Sequence, residues 1–342
     1  MPALPAVAEG LRLVTWDPGL TREGPGLLLR DIGRDDPQVM AVVAVIAALD
    51  ADVLVLTGVD YDAGGAALAA LAGRIAAAGA DYPHRFALAP NAGVPTGLDL
   101  DGDGRTGRAR DAQGYGRFPG NGGLAILSRL PVDAGAVQDF SAFLWRDLPG
   151  AILPEGEPAE ASAIQRLSST GHWAVPLVRA DGGRLTLLAF AATPPVFDGP
   201  EDRNGRRNHD EAAFWLRLLE GALPFAAPAP PLVLIGKPNL DPADGEGRAE
   251  ALLALMSHPA LQDPAPRGLH GRVEPGQAGD AALDTALFGP ATGGLRVSMI
   301  LPGRGLAVTG SGVVWPPEAD PMAATLASAS RHRPVWVDVA LP

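Results

Sequence analysis

Lys237, Asn239 and Asp241 follow the branched apolar run LVLI at 232–235, inside the stretch PLVLIGKPNLDP. The run reads as a buried strand and GKPNLDP as the loop that ends it. Strand ends are where layered α/β proteins build sites, because the loops there bring distant side chains to one point. An ammonium and an amide at such a place can hold an anion. The simpler reading is that Asn239 and Asp241 only close a turn on their own backbone. A second set with chemistry of its own is His172, Asp198, Glu201, His209 and Asp210, imidazoles and carboxylates able to exchange protons. A third is Asp99, Asp101 and Asp103 in DLDGDG, where acids at alternate positions and a glycine turn can wrap a calcium ion. Arg110 stands where the helix-loop-helix calcium pattern needs its bidentate glutamate, so a solvated turn is the competing reading.

The elements that must position these groups follow from pattern. Residues 11–16 alternate as a strand stopped by Asp17-Pro18-Gly19, which delivers Asp17 to a strand end. Asp35-Asp36-Pro37 starts a helix running to 49, with Pro37 at its first position. DVLVLT at 52–57 is a buried strand with Gly58 at its end. Strand, helix, strand in this order favours a layered α/β protein with the helix outside. Helices are expected over 66–78, from about Asn208, and over 248–256. Further strands are expected over 85–89, 123–128, 185–192, 295–300 and 334–339, with 91–121 a long polar insertion.

The chain has 342 residues, 47% of them hydrophobic and 19% charged, which fits a soluble globular protein with a large core. Its 34 prolines and 43 glycines are scattered without a period, so the chain is rich in turns and not a repeat. A formal net charge of −12 argues against a broad grip on nucleic acid or on an anionic membrane. With no cysteine, disulfides, thiolate metal sites and cysteine nucleophiles are excluded. No stretch reaches the ~18 apolar residues of a membrane span, and the start lacks a basic segment followed by a long apolar one. The expectation is a soluble, unexported chain, the cytoplasm favoured.

Laid side by side, these strand ends resemble those of the endonuclease/exonuclease/phosphatase superfamily, whose fold is like that of deoxyribonuclease I. The chain is most similar to a bacterial branch that carries TPPVFDGPEDRNGRRNHDE, here residues 193–211. GVPTGLDLDGDGRTG at 93–107, GLAILSRLP at 123–131 and SGVVWPP at 311–317 support it, and the resemblance runs from Leu11 to Val339. It implies one domain over 10–342 after a tail at 1–9. The implied fold is α/β (α+β), a four-layer sandwich of two mixed β-sheets face to face with helices on the outer faces. It also implies magnesium-dependent hydrolysis of phosphodiesters or phosphomonoesters, using carboxylates for the ion, a histidine for a proton and an Asp-x-Asn pair.

Carried over by position, the resemblance puts the family's first-strand asparagine on Asp17 and its metal-binding glutamate on Gly58. Its mid-chain histidine falls on Ala191, or on Ala192, and a later aspartate on Ser298. The Asp-x-Asn pair reads Lys237-Pro238-Asn239 and the terminal Asp-His pair reads Arg331-His332. Only Asn239 and His332 match. Two cations stand where two anions are needed, and at ~4 Å a like charge costs a bound ion ~4 kcal/mol even at an effective dielectric near 20. The leading expectation is therefore a degenerate member, without metal or hydrolysis at the family site, acting as a scaffold or anion binder. Its partner would be a small anionic ligand, held by Lys237 and Arg331 with Asn239 and His332 as donors, or another protein. The alternative is a magnesium-dependent phosphoesterase built on the second set of acids and histidines, for which those groups must share one cleft.

Overall fold

The computed structural model describes residues 10–341; the expected tail at 1–9 and Pro342 lie outside the described residues. The first half of the chain runs β1 (Gly10–Trp16), α1 (Leu27–Gly33), α2 (Pro37–Leu49), β2 (Val53–Val59), α3 (Ala66–Ala77), β3 (His84–Phe86), β4 (Gly123–Ser128) and β5 (Gln138–Asp139). After α4 (Ala159–Ile164) come β6 (Gly171–Val178), β7 (Arg184–Ala191), α5 (Arg203–Leu219), β8 (Leu232–Lys237) and α6 (Glu250–Met256). The last part is β9 (Ala286–Leu287), β10 (Gly294–Leu295), β11 (Met299–Pro302), β12 (Ala307–Val313), α7 (Pro321–Ala329) and β13 (Val335–Ala340).

Two mixed sheets result, ordered β12-β13-β1-β2-β4-β3 and β11-β8-β7-β6-β5, with β9 and β10 as a separate pair. Strands apolar on both faces can be covered on both, and that is what builds the layers. In β1, Leu13 joins the core between the sheets, while its neighbours Val14 and Trp16 face α1, α2, α3 and α7. In β7, Leu187 and Ala189 face the same inter-sheet core, and Leu188 and Phe190 pack against α5 and α6. The four-layer sandwich expected from the sequence is the observed architecture. Each fully buried large side chain in it contributes roughly 1.5–3 kcal/mol. Among the described residues no helix is long and apolar enough to cross a membrane.

The Asp36 start signal works as read: its carboxylate accepts from Gln38 N at 3.1 Å and Val39 N at 3.2 Å. Two expectations need correction. The helix expected from about Asn208 begins at Arg203, since Asp198 accepts the Asn204 amide and organises a first turn out of residues that read as loop. The strand expected over 295–300 is two short strands in different sheets. Between them the amides of Val297 and Ser298 are taken by Thr285 Oγ1 at 2.9 and 3.0 Å, and that of Arg296 by Asp241, so no ladder can run through.

Candidate functional site

Strand direction brings the site together. β1 and β2 are parallel, so Asp17 and Gly58 leave the first sheet at the same end. β7 and β8 are parallel and place Ala191 opposite Lys237 in the second. β13 runs antiparallel to β1 and β11 antiparallel to β8, so His332 and Ser298, each just before its strand, arrive at that end as well. Asp17, Gly58, Ala191, Lys237, Ser298, Arg331, Asn239 and His332 thus all lie at one end of the sandwich.

Asp17 is the centre of what they form. It is 6% exposed, its Oδ1 accepts the Gly19 amide at 3.0 Å, and its Oδ2 accepts from Lys237 Nζ across the seam between the sheets. Burial would push this carboxyl up, but the Lys237 ammonium overrides it and holds the group at about 2. His332 Nε2 stands 3.9 Å from the same Oδ2, too far for a hydrogen bond, and Nδ1 has no partner among the described residues. Burial, helped by the Lys237, Arg331 and Arg333 charges, pushes this imidazole down to about 4 against the pull of Asp17. It is neutral near pH 7.

Gly58 takes a left-handed φ of +64°, and a Cβ there would stand 2.4 Å from Asp17 Oδ1 and 3.0 Å from its Cγ. The carboxylate of Asp17 fills the space that a side chain at 58 would enter. Ala191 is buried in the inter-sheet core, and Ser298 is 2% exposed, its amide bound to Thr285. Asn239, also left-handed at φ +61°, donates from its side chain to Ala192 O at 3.1 Å. Asp241 closes a turn, accepting from the Ala243 and Asp244 amides, and its other oxygen accepts the distant Arg296 amide, so this loop does more than the turn of the simpler reading. Arg331 is exposed, 5.9 Å from the Phe288 ring, and borders a cleft of about 530 Å³ with Asp17, His332, Arg22 and Gln38; Lys237 is not among its walls.

A hard divalent ion needs several oxygen ligands. Here Gly58 and Ala191 offer none, and the Asp17 carboxylate is already engaged by Gly19 and Lys237. These residues do not fit magnesium.

The second set of acids and histidines does not converge on one cleft. His172 is buried, stacked on Trp215 at 5.2 Å, and bonded through Nδ1 to Ser168 Oγ and through Nε2 to Glu211 O, both at 2.9 Å. Burial pushes it down to about 4. Asp210 accepts from Trp145 Nε1, Ile152 N and His209 Nδ1, and Glu201 from the amide of Gly199. The RNGRRNHDE part of the motif proves to be internal carpentry. Arg207 donates to the carbonyls of Gln113, Arg166, Leu167 and Ser168, and Glu211 accepts from Ser169 N, Ser169 Oγ and Thr193 N. Asn208 ties Thr193 O to Pro238 O at 2.7 and 2.8 Å, joining the loops that leave β7 and β8. Sequence reasoning missed these three as positioning residues. The available signal was spacing: 207, 211, 214 and 218 lie on one helical face, and Phe214 and Leu218 mark it as buried.

Asp99, Asp101 and Asp103 do come together, each offering a carboxylate oxygen within 4.8 Å of the others. Asp99 accepts the amides of Gly102 and Gly104 at 2.8 Å, and Arg110 reaches away to Phe197 O at 3.3 Å.

A sequence profile described as the Endonuclease/Exonuclease/phosphatase family matches residues 26–332. Among solved structures, an endonuclease/exonuclease/phosphatase from Beutenbergia cavernae DSM 12333 superposes with a TM-score of 0.56 at 19% identity, covering 97% of this chain and 72% of that one. One from Bacteroides vulgatus gives 0.54 at 11% identity, over 98% and 100% of the two chains. Sphingomyelinase C from Streptomyces griseocarneus gives 0.51 at 16% identity, over 97% and 100%. At these identities the likeness is one of fold. A search of the curated proteins found no match.

Proposed function

The chain belongs to the endonuclease/exonuclease/phosphatase family, and from that premise we propose that it is a degenerate member, a scaffold without metal-dependent phosphoester hydrolysis. The observation that carries this reading is at Gly58: it has no side chain to offer, and the space a Cβ would enter is taken by the Asp17 carboxylate, itself held by the Gly19 amide and Lys237. Ala191 and Ser298 support it, since neither supplies a carboxylate or an imidazole where the resemblance implies one. Calorimetric titration of the purified protein with magnesium and with manganese tests it. No heat of binding is expected; stoichiometric uptake abolished by Asp17→Asn would overturn it.

Arg331 favours a role for the cleft as an anion site. Among the described residues no carboxylate pairs with its guanidinium, and Arg22, Gln38 and His332 line the same cleft, whose two carboxylates, Asp17 and Asp36, are engaged by other donors. Sulfate or phosphate should then protect wild type against heat more than it protects Arg331→Ala at matched ionic strength, the comparison cancelling the general salting effect of these anions. Equal protection would remove the anion role. Calcium at Asp99, Asp101 and Asp103 is read in the same assay: a calcium-dependent rise in Tm assigns that loop an ion, and an unchanged Tm leaves it a turn held by its own amides.

A further inference from the structure

Asp17 ends β1 in one sheet and Lys237 ends β8 in the other, so their ion pair bridges the seam between the sheets at the end where the loops gather. Both side chains are largely out of water, 9% and 16% exposed. A carboxylate so placed needs a counter-charge, because an isolated buried charge is strongly disfavoured. Among the described groups one is placed to supply it. Oδ1 accepts the Gly19 amide and lies where a Cβ on Gly58 would stand, and the neutral imidazole of His332 stays 3.9 Å from Oδ2. Oδ2 is met by Nζ alone at bonding distance among the described residues.

Resting on the reading that no divalent ion is held here, we propose that the Lys237 ammonium is the resident cation of the site. It is tethered by its own side chain, and its removal leaves a pocket that takes up a small free alkylammonium ion. Lys237 is on this account a positioning residue, clasping the two sheets through Asp17.

The test is thermal unfolding of Lys237→Ala. A Tm loss of roughly 5–10 °C is expected from breaking a buried pair. n-Propylammonium replaces the atoms removed, and at tens of millimolar it should restore at least half of that loss, whereas tetramethylammonium, which cannot donate a hydrogen bond, should restore none. Equal effects of the two ions, or a Tm loss under about 1 °C, would overturn the proposal. Should Lys237→Ala not fold, Asp17→Asn with Lys237→Met removes both charges at once. That double variant should melt above either single variant, and a double variant no more stable than Lys237→Met contradicts the clasp. Divalent uptake by wild type would instead defeat the proposed function, and the rescue experiment separates the two failures.

Discussion

At the scale of single residues, the site is governed by which groups are charged inside the protein. His172 and His332 are both buried and both held down to about 4, so the folded state keeps them neutral while the unfolded chain protonates near 6.5. A group lowered in this way gives stability that is complete above about pH 6.5 and is lost as pH falls toward 4. Asp17, held at about 2, adds acid sensitivity only below the usual carboxylate range. We therefore expect Tm to be level from about pH 7 to 8 and to fall by roughly 5–10 °C between about 6.5 and 4. His332→Asn should flatten part of that slope, and an unaltered slope in the variant would show that His332 is not one of the groups responsible. Asp284 behaves in the opposite sense. Burial, with Asp241, Glu274 and Asp244 nearby, pushes it up to about 6, so its ionised form is a penalty that is present above that pH and absent below about 4. Asp284→Asn should raise Tm by roughly 2–4 °C at pH 7.5 and by nothing near pH 4. The amide oxygen of the variant keeps an acceptor for Gln277 Nε2, which donates to both carboxylate oxygens of Asp284.

At the scale of elements, α5 is the joist of the site, and its buried polar face does the fastening. Asn208→Ala leaves the carbonyls of Thr193 and Pro238 without their donor and should cost about 2–3 kcal/mol in urea unfolding. Arg207→Met removes donors from four buried carbonyls and should cost more, about 3–5 kcal/mol. Losses under about 0.5 kcal/mol for both would show that the motif is held by something else. Much at this scale was legible beforehand. Periodicity placed α2, α3 and β8 because their apolar spacing and turn residues agree with each other. It failed where a side chain captures backbone groups: Asp198 starts α5 early, and Thr285 with Asp241 breaks the run at 296–298. Those partners lie too far along the chain, or in too polar a stretch, for a local pattern to reveal them.

At the scale of the whole molecule, two parallel strand pairs, β1 with β2 and β7 with β8, point their ends to one place, and the resemblance of strand ends was enough to find that place. What occupies it was not legible. Asp17 and Lys237 are 220 residues apart and belong to different sheets, so a reading from sequence saw an acid and a base at two separate strand ends and expected Lys237 to face an anionic ligand. Only the packing of the sheets shows the two neutralising each other. The central claim, that this fold here lacks its hydrolytic chemistry, meets its most direct test in turnover of a generic aryl phosphodiester by the purified protein with magnesium or manganese, beside an active relative as positive control. The account predicts no divalent-dependent rate above buffer. Turnover that requires the metal, copurifies with the chain and disappears in Asn239→Ala or His332→Ala would contradict it.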